Sequence, residues 1–153
     1  MVGDISVRGA NQLADLAKDL KAAGYKELRR ELYRGISRAM KPLAEEARKS
    51  ARENLPRRGG LNEVVASSRF TARSRMAGRN PGVRLVGAKK GHDLSAIDRG
   101  RLRHPVFGND WWVTQIIEPG WFTDGLSDSV VVAPVRKEIL RAMDDVARRL
   151  ARG

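Results

Sequence analysis

Apolar residues recur at helical spacing through the first third of the chain. Leu13, Leu16, Ala17 and Leu20 make one short stripe that Gly24 closes. Leu28, Leu32, Ile36, Ala39, Met40, Leu43, Ala47 and Ala51 make a longer one, with lysine, arginine and glutamate on the remaining faces. The longer stripe predicts a helix over about 25–54. Pro42 lies inside it, and proline lacks the backbone donor and crowds the preceding turn, so a kink or two abutting helices are expected there. Ahead of both stripes, Ile5 and Val7 alternate with Ser6 and Arg8 as in a short strand.

Beyond the Pro56-Arg-Arg-Gly-Gly60 break and one helical turn at 61–66, the period changes from 3.6 to 2. Phe70, Ala72, Ser74 and Met76 alternate with Arg69, Thr71, Arg73 and Arg75, a half-buried strand with a basic outer face. Gly78-Arg-Asn-Pro-Gly82 signals a turn, and residues 83–88 read as the returning strand. Residues 89–109 show no period at all, which in a small domain marks a functional or disordered segment. Another strand follows at 111–118. A last helix is expected over 124–151, with Val130, Ala133, Arg136 (by its stem), Ile139, Leu140, Met143, Val146, Ala147 and Leu150 on its stripe and a break at Pro134. The pattern predicts one α+β domain spanning residues 1–153. In it, a small antiparallel sheet of three or four strands packs against a long N-terminal helix and a C-terminal amphipathic helix. A long extended loop covers about 89–110.

Charge sharpens this picture. The chain carries a net +12, and residues 64–109 hold ten basic side chains against only Asp93 and Asp98, a local excess of +8. Such a segment attracts polyanions or acidic protein surfaces. With no cysteine, disulfides and thiolate sites are excluded. No basic leader followed by an apolar stretch opens the chain, and no apolar run approaches the ~20 residues of a membrane span. A soluble protein without a membrane partner is expected.

Candidate chemistry is sparse. The two histidines, His92 and His104, show no metal-ligand spacing, and neither a nucleophile elbow nor a phosphate loop is present. The expectation is a protein that is not an enzyme, with no catalytic, metal or cofactor residues and no cofactor. Aromatics are few, yet Phe107, Trp111, Trp112, Trp121 and Phe122 cluster. They read either as ordinary core or as an interface. Because strand neighbours point to opposite faces, adjacent Trp111 and Trp112 require both faces to be covered unless one indole lies exposed, and another subunit is one way to cover them. Arg69, Arg73, Arg75, Lys89 and Lys90 are candidates for facing DNA or an acidic partner.

The segment Gly100-Arg-Leu-Arg-His-Pro-Val-Phe-Gly-Asn109, with Trp112-Val-Thr-Gln115 and Pro119-Gly-Trp-Phe122 after it, resembles a pattern in the neck and tail-completion proteins of tailed phages. In that group a long helical region, a small sheet, a histidine-proline-valine-phenylalanine-glycine loop, a proline-glycine-tryptophan-phenylalanine motif and a terminal helix follow in the same order. The resemblance implies a structural virion protein, a siphovirus head-to-tail connector or tail terminator. It implies a homo-oligomeric ring between head-closure (stopper) and tail-tube proteins, assembled in the host cytoplasm, with nonspecific contact to DNA in the channel as a further expectation. On that reading Arg99, Arg101, Arg103, His104, Phe107, Trp111, Trp112, Trp121 and Phe122 form protein contacts, the loop serving as an arm toward neighbours. The alternative is a basic nucleic-acid-binding module.

Overall fold

The structure, a computed structural model, describes residues 10–75, 79, 82–106, 110–127 and 132–152. The first stripe forms α1 (Ala10–Ala22) and buries Leu13, Ala17 and Leu20. The second forms two abutting helices, α2 (Lys26–Ala39) and α3 (Lys41–Asn54), as Pro42 required. The junction is Met40, and Pro42 sits in the first turn of α3, where a missing N–H forfeits no helical bond. The apolar stripe crosses the junction intact, with Leu32, Ile36, Met40, Leu43, Ala47 and Ala51 all buried. A 3-10 turn at Arg58–Gly60 and the short α4 (Leu61–Ala66) follow.

Strands β1 (Arg69–Arg75) and β2 (Gly82–Ala88) pair antiparallel. Phe70, Ala72 and Ser74 stand opposite Gly87, Leu85 and Val83 on the face that meets α1 and α2. Arg69, Arg73, Arg75 and Arg84 occupy the other face, so the predicted alternation holds in the folded chain. Met76, most of the 78–82 turn and the short strand expected at residues 5–8 lie outside the described residues.

The stretch expected to be a loop is folded. Lys89 and His92 bridge a tight turn, α5 (Leu94–Asp98) follows, and β3 (Arg101–Pro105) pairs antiparallel with β4 (Trp112–Ile116). Elements of five residues are too short to display a period, which is why none was visible. Among the described residues the strands form two separate two-stranded sheets, where one sheet of three or four is expected from the sequence. Helix α5 intervenes, its Leu94 lying against Gly87 near the end of β2, so β3 sets out from the far end of α5.

Within the terminal helix expected over 124–151 the described residues form α6 (Thr123–Ser127) and α7 (Val132–Arg152); residues 128–131, Val130 among them, lie outside the described residues. Pro134 belongs to the first turn of α7 and breaks nothing. The buried stripe of α7 is Val135, Ile139, Met143 and Val146, against α2. Ala133, Arg136 and Leu140, placed on it by the sequence pattern, are exposed, because the position one turn before Ile139 is Val135.

The fold is α+β, with one continuous apolar core drawn from the helices, β1 and β2. Neither β3 nor β4 supplies a buried residue to it; Leu102 and His104 are partly covered, and Leu102 packs against the core. The second sheet is an arm on the body. Among the described residues no helix is long and apolar enough to cross a membrane.

Candidate protein interface

The arm is fixed at its base. Gly100 ends α5 with φ +83°, and a Cβ there would lie 2.6 Å from the Ile117 carbonyl oxygen, so the tight passage into β3 requires glycine. The Ile117 N–H donates back to the Gly100 carbonyl at 2.9 Å. Asp98 ties the two stems together. Its backbone carbonyl accepts from the Gly120 N–H at 2.8 Å, while its carboxylate accepts from the N–H groups of Phe122 (2.8 Å) and Thr123 (3.1 Å) and from the Thr123 hydroxyl. These donors open α6, so the carboxylate acts as a helix cap. Asp93 does the same for α5, accepting from the Ala96 N–H at 3.0 Å.

Trp121 and Phe122 complete the anchor from inside. Both are buried, Trp121 to 1% exposure, and they pack edge-to-face at 5.4 Å. Phe70 stacks on Phe122 at 6.3 Å, and the Arg48 guanidinium lies 5.3 Å over the Phe70 ring. The buried Ser50 hydroxyl of α3 donates to the Trp121 carbonyl. These two aromatics therefore belong to the chain's own core, which removes them from the residues offered to other chains. The reason is that Pro119-Gly120 turns the chain back from the arm onto α3.

The remaining aromatics behave oppositely. In the β3–β4 register Arg101 faces Ile116, Arg103 faces Thr114 and Pro105 faces Trp112 on one side of the ribbon. Leu102, His104, Val113 and Gln115 share the other, and Trp111 continues that side through its carbonyl, which accepts from the Val106 N–H at 2.8 Å. Trp111 and Ile116 are each 75% exposed and Trp112 58%. At about 250 Å² for a whole indole side chain, the two tryptophans alone leave roughly 330 Å² uncovered. A two-stranded ribbon gains little stability by itself, and apolar exposure of this kind marks a contact surface.

One side of the ribbon closes into a groove of about 660 Å³ against α5 and the turn before it. Arg99, Arg101, Arg103 and Trp112, all expected at the interface, meet there, joined by His92 and Ile116. The Arg103 guanidinium sits 5.6 Å over the Trp112 ring. Arg99 donates to the Ser95 hydroxyl at 2.9 Å. Among the described residues, none of the three arginines has a carboxylate within ion-pair distance. The helices differ: Arg30 pairs with Glu27, Arg48 with Glu45, Arg141 with Glu138, and Arg149 with Glu31.

No family model, curated protein or solved structure matches this chain. Its geometry therefore carries the functional reading. His104 and Trp111 lie on the ribbon face away from the groove, His104 half-buried with Nδ1 3.0 Å from the Pro105 carbonyl oxygen. Phe107 lies outside the described residues. Arg69, Arg73 and Arg75 form a separate basic face on β1. Lys89 donates to the Ser67 hydroxyl at 2.8 Å, and Lys90 is exposed in the neighbouring turn. Two contributors escaped the sequence reading. Ile116 shares strand parity with Trp112, a signal that was present. Asp98 was visible only as one of two acids in a basic segment, with nothing to show that it caps a helix 25 residues on. Among the described residues no group of three or more histidines and carboxylates could hold a metal ion.

Proposed function

We propose that this chain is a structural subunit of a ring at the junction of a phage head and tail, either a neck connector or a tail terminator, and performs no chemistry. The observation that carries the reading is the arm. Its β3–β4 ribbon is anchored through Asp98, Gly100 and the Pro119–Phe122 segment, adds no fully buried residue to the core, and presents Trp111, Trp112, Val113 and Ile116 to the outside. That segment also contains the histidine-proline-valine-phenylalanine-glycine motif by which the chain resembles the neck proteins. A closed ring needs one patch of a subunit to meet a different patch of its neighbour, and a projecting ribbon reaches beyond its own body to do so. Its partners on this reading are further copies of itself, the stopper above and the tail tube below, and its location is the virion, after assembly in the host cytoplasm.

The test is a double substitution, Trp111→Ala with Ile116→Ser. Both side chains are three-quarters exposed, so the variant subunit is expected to fold with nearly unchanged stability while heads and tails fail to join. Unaltered yield of joined particles refutes the proposal. A second reading, a nucleic-acid-binding module, draws on the outer face of β1–β2, where Arg73 stands directly opposite Arg84 with Arg69 and Arg75 alongside. It predicts DNA affinity that falls steeply with salt.

A further inference from the structure

The two acids that oppose the ten basic residues of 64–109 are occupied within the fold. The only carboxylates in that stretch, Asp93 and Asp98, are both committed to capping helices, one for α5 and one for α6. Neither lies within ion-pair distance of the groove arginines, and no carboxylate from elsewhere among the described residues does. The groove, whose lining includes one carboxylate, Asp93, therefore sets three guanidinium groups that have no described carboxylate within ion-pair distance beside the apolar Trp112 and Ile116, with positive charge in excess.

The geometry points to the groove as the docking site for an extended acidic segment of a different protein, one that carries carboxylates at alternate positions with an apolar side chain near them. Arg101 and Arg103 lie two residues apart on the same strand face, so their stems are spaced by roughly 6.7 Å. An extended peptide repeats its same-face side chains at that interval, which lets two carboxylates meet two guanidinium groups at once. Ile116 and Trp112, on the same face of β4, offer the apolar side chain a dry wall. A second copy of this chain is a poor occupant: it carries the same +12, and many of its helical carboxylates already pair with basic residues one turn away. Arginines beside an exposed tryptophan also suit single-stranded nucleic acid; the exposed Ile116, which stacks no base and binds no phosphate, favours the peptide, and the DNA probe below separates the two. The inference rests on the arm being a contact surface, and names the chemistry of what it contacts.

Fluorescence anisotropy of a labelled ten-residue peptide with serine at every second position and glutamate, glutamate and valine in turn at the positions between, which puts carboxylates and apolar side chain on one face, titrated with the purified chain, tests this. The same peptide with lysine for glutamate and a twelve-nucleotide single-stranded DNA run as parallel probes. Saturable binding of the acidic peptide alone among the two peptides is expected. The double reversal Arg101→Glu with Arg103→Glu should weaken it at least tenfold. Arg69→Glu with Arg73→Glu changes net charge by the same amount and should weaken it less than twofold. Trp112→Ala should weaken peptide binding at unchanged charge. Three outcomes overturn the assignment: no saturable peptide binding, equal losses in the two charge-reversed variants, or DNA affinity that depends on Arg101 and Arg103 while the peptide does not bind. If the ring forms in virions yet any of these occurs, the acidic occupant is rejected and the ring reading survives. If the acidic peptide binds as expected while particles join without the arm, the ring reading is rejected and the acidic occupant stands.

Discussion

Asp98→Ala probes the joint between body and arm. The substitution removes an acceptor that serves two backbone N–H groups and one hydroxyl, and leaves the Gly120 bond to its own carbonyl intact. A hydrogen bond to a charged group contributes about 1.5–3 kcal/mol net where both partners are shielded. The Thr123 end of this cluster is exposed, so water replaces part of the loss, and helix-cap truncations of this kind cost about 0.5–2 kcal/mol. The two ranges overlap at a destabilisation of about 1.5–2 kcal/mol, or a fall in Tm of roughly 3–8 °C for a chain of this size. Asp98→Asn keeps one oxygen acceptor and should lose about half as much. Urea unfolding followed by far-ultraviolet circular dichroism reads the difference as a shift in midpoint at constant slope. Hydrogen exchange adds a local readout: the Ile117 and Gly120 amides should exchange faster relative to those of α2. An alanine variant within about 0.5 kcal/mol of the parent, the range of ordinary surface changes, would refute the role assigned to this carboxylate.

Trp121→Ala should cost about 3–5 kcal/mol, because it empties a fully buried site between Phe70, Phe122 and α3; thermal denaturation checks it. Gly100→Ala forces a side chain into left-handed backbone and against the Ile117 carbonyl, with an expected loss of about 1–3 kcal/mol by chemical denaturation. Trp111→Phe with Trp112→Phe should leave only buried Trp121, shifting emission to the blue and removing most quenching by iodide; a red-shifted, quenchable residual emission would contradict the packing of Trp121.

The helical half of the molecule was legible in the chain itself. The stripe from Leu28 to Ala51 named its own buried face, and Pro42 announced the division into α2 and α3, since amphipathic period and the missing proline donor are local properties. The alternation of β1 was legible for the same reason. The adjacency of Trp111 and Trp112 predicts, without coordinates, indoles on opposite faces, and of the two only Trp112 lines the groove. Tertiary structure decided the rest. Residues 89–105 looked patternless because α5 and β3 are five residues each, and elements that short take their form from what they pack on and how they are capped. In hindsight Asp93, Leu94, Ile97 and Gly100 spell a cap, a one-turn stripe and a stop, but only the packing of Leu94 against Gly87 makes that spelling binding. Composition grouped five aromatics as one cluster; the fold divided it, burying Trp121 and Phe122 and exposing Trp111 and Trp112. A side chain's character is set by its atoms, whereas its burial is set by which distant segment arrives to cover it. Here α3 reaches the Pro119–Phe122 turn, whereas among the described residues nothing covers Trp111, Trp112 or Ile116 to the same extent.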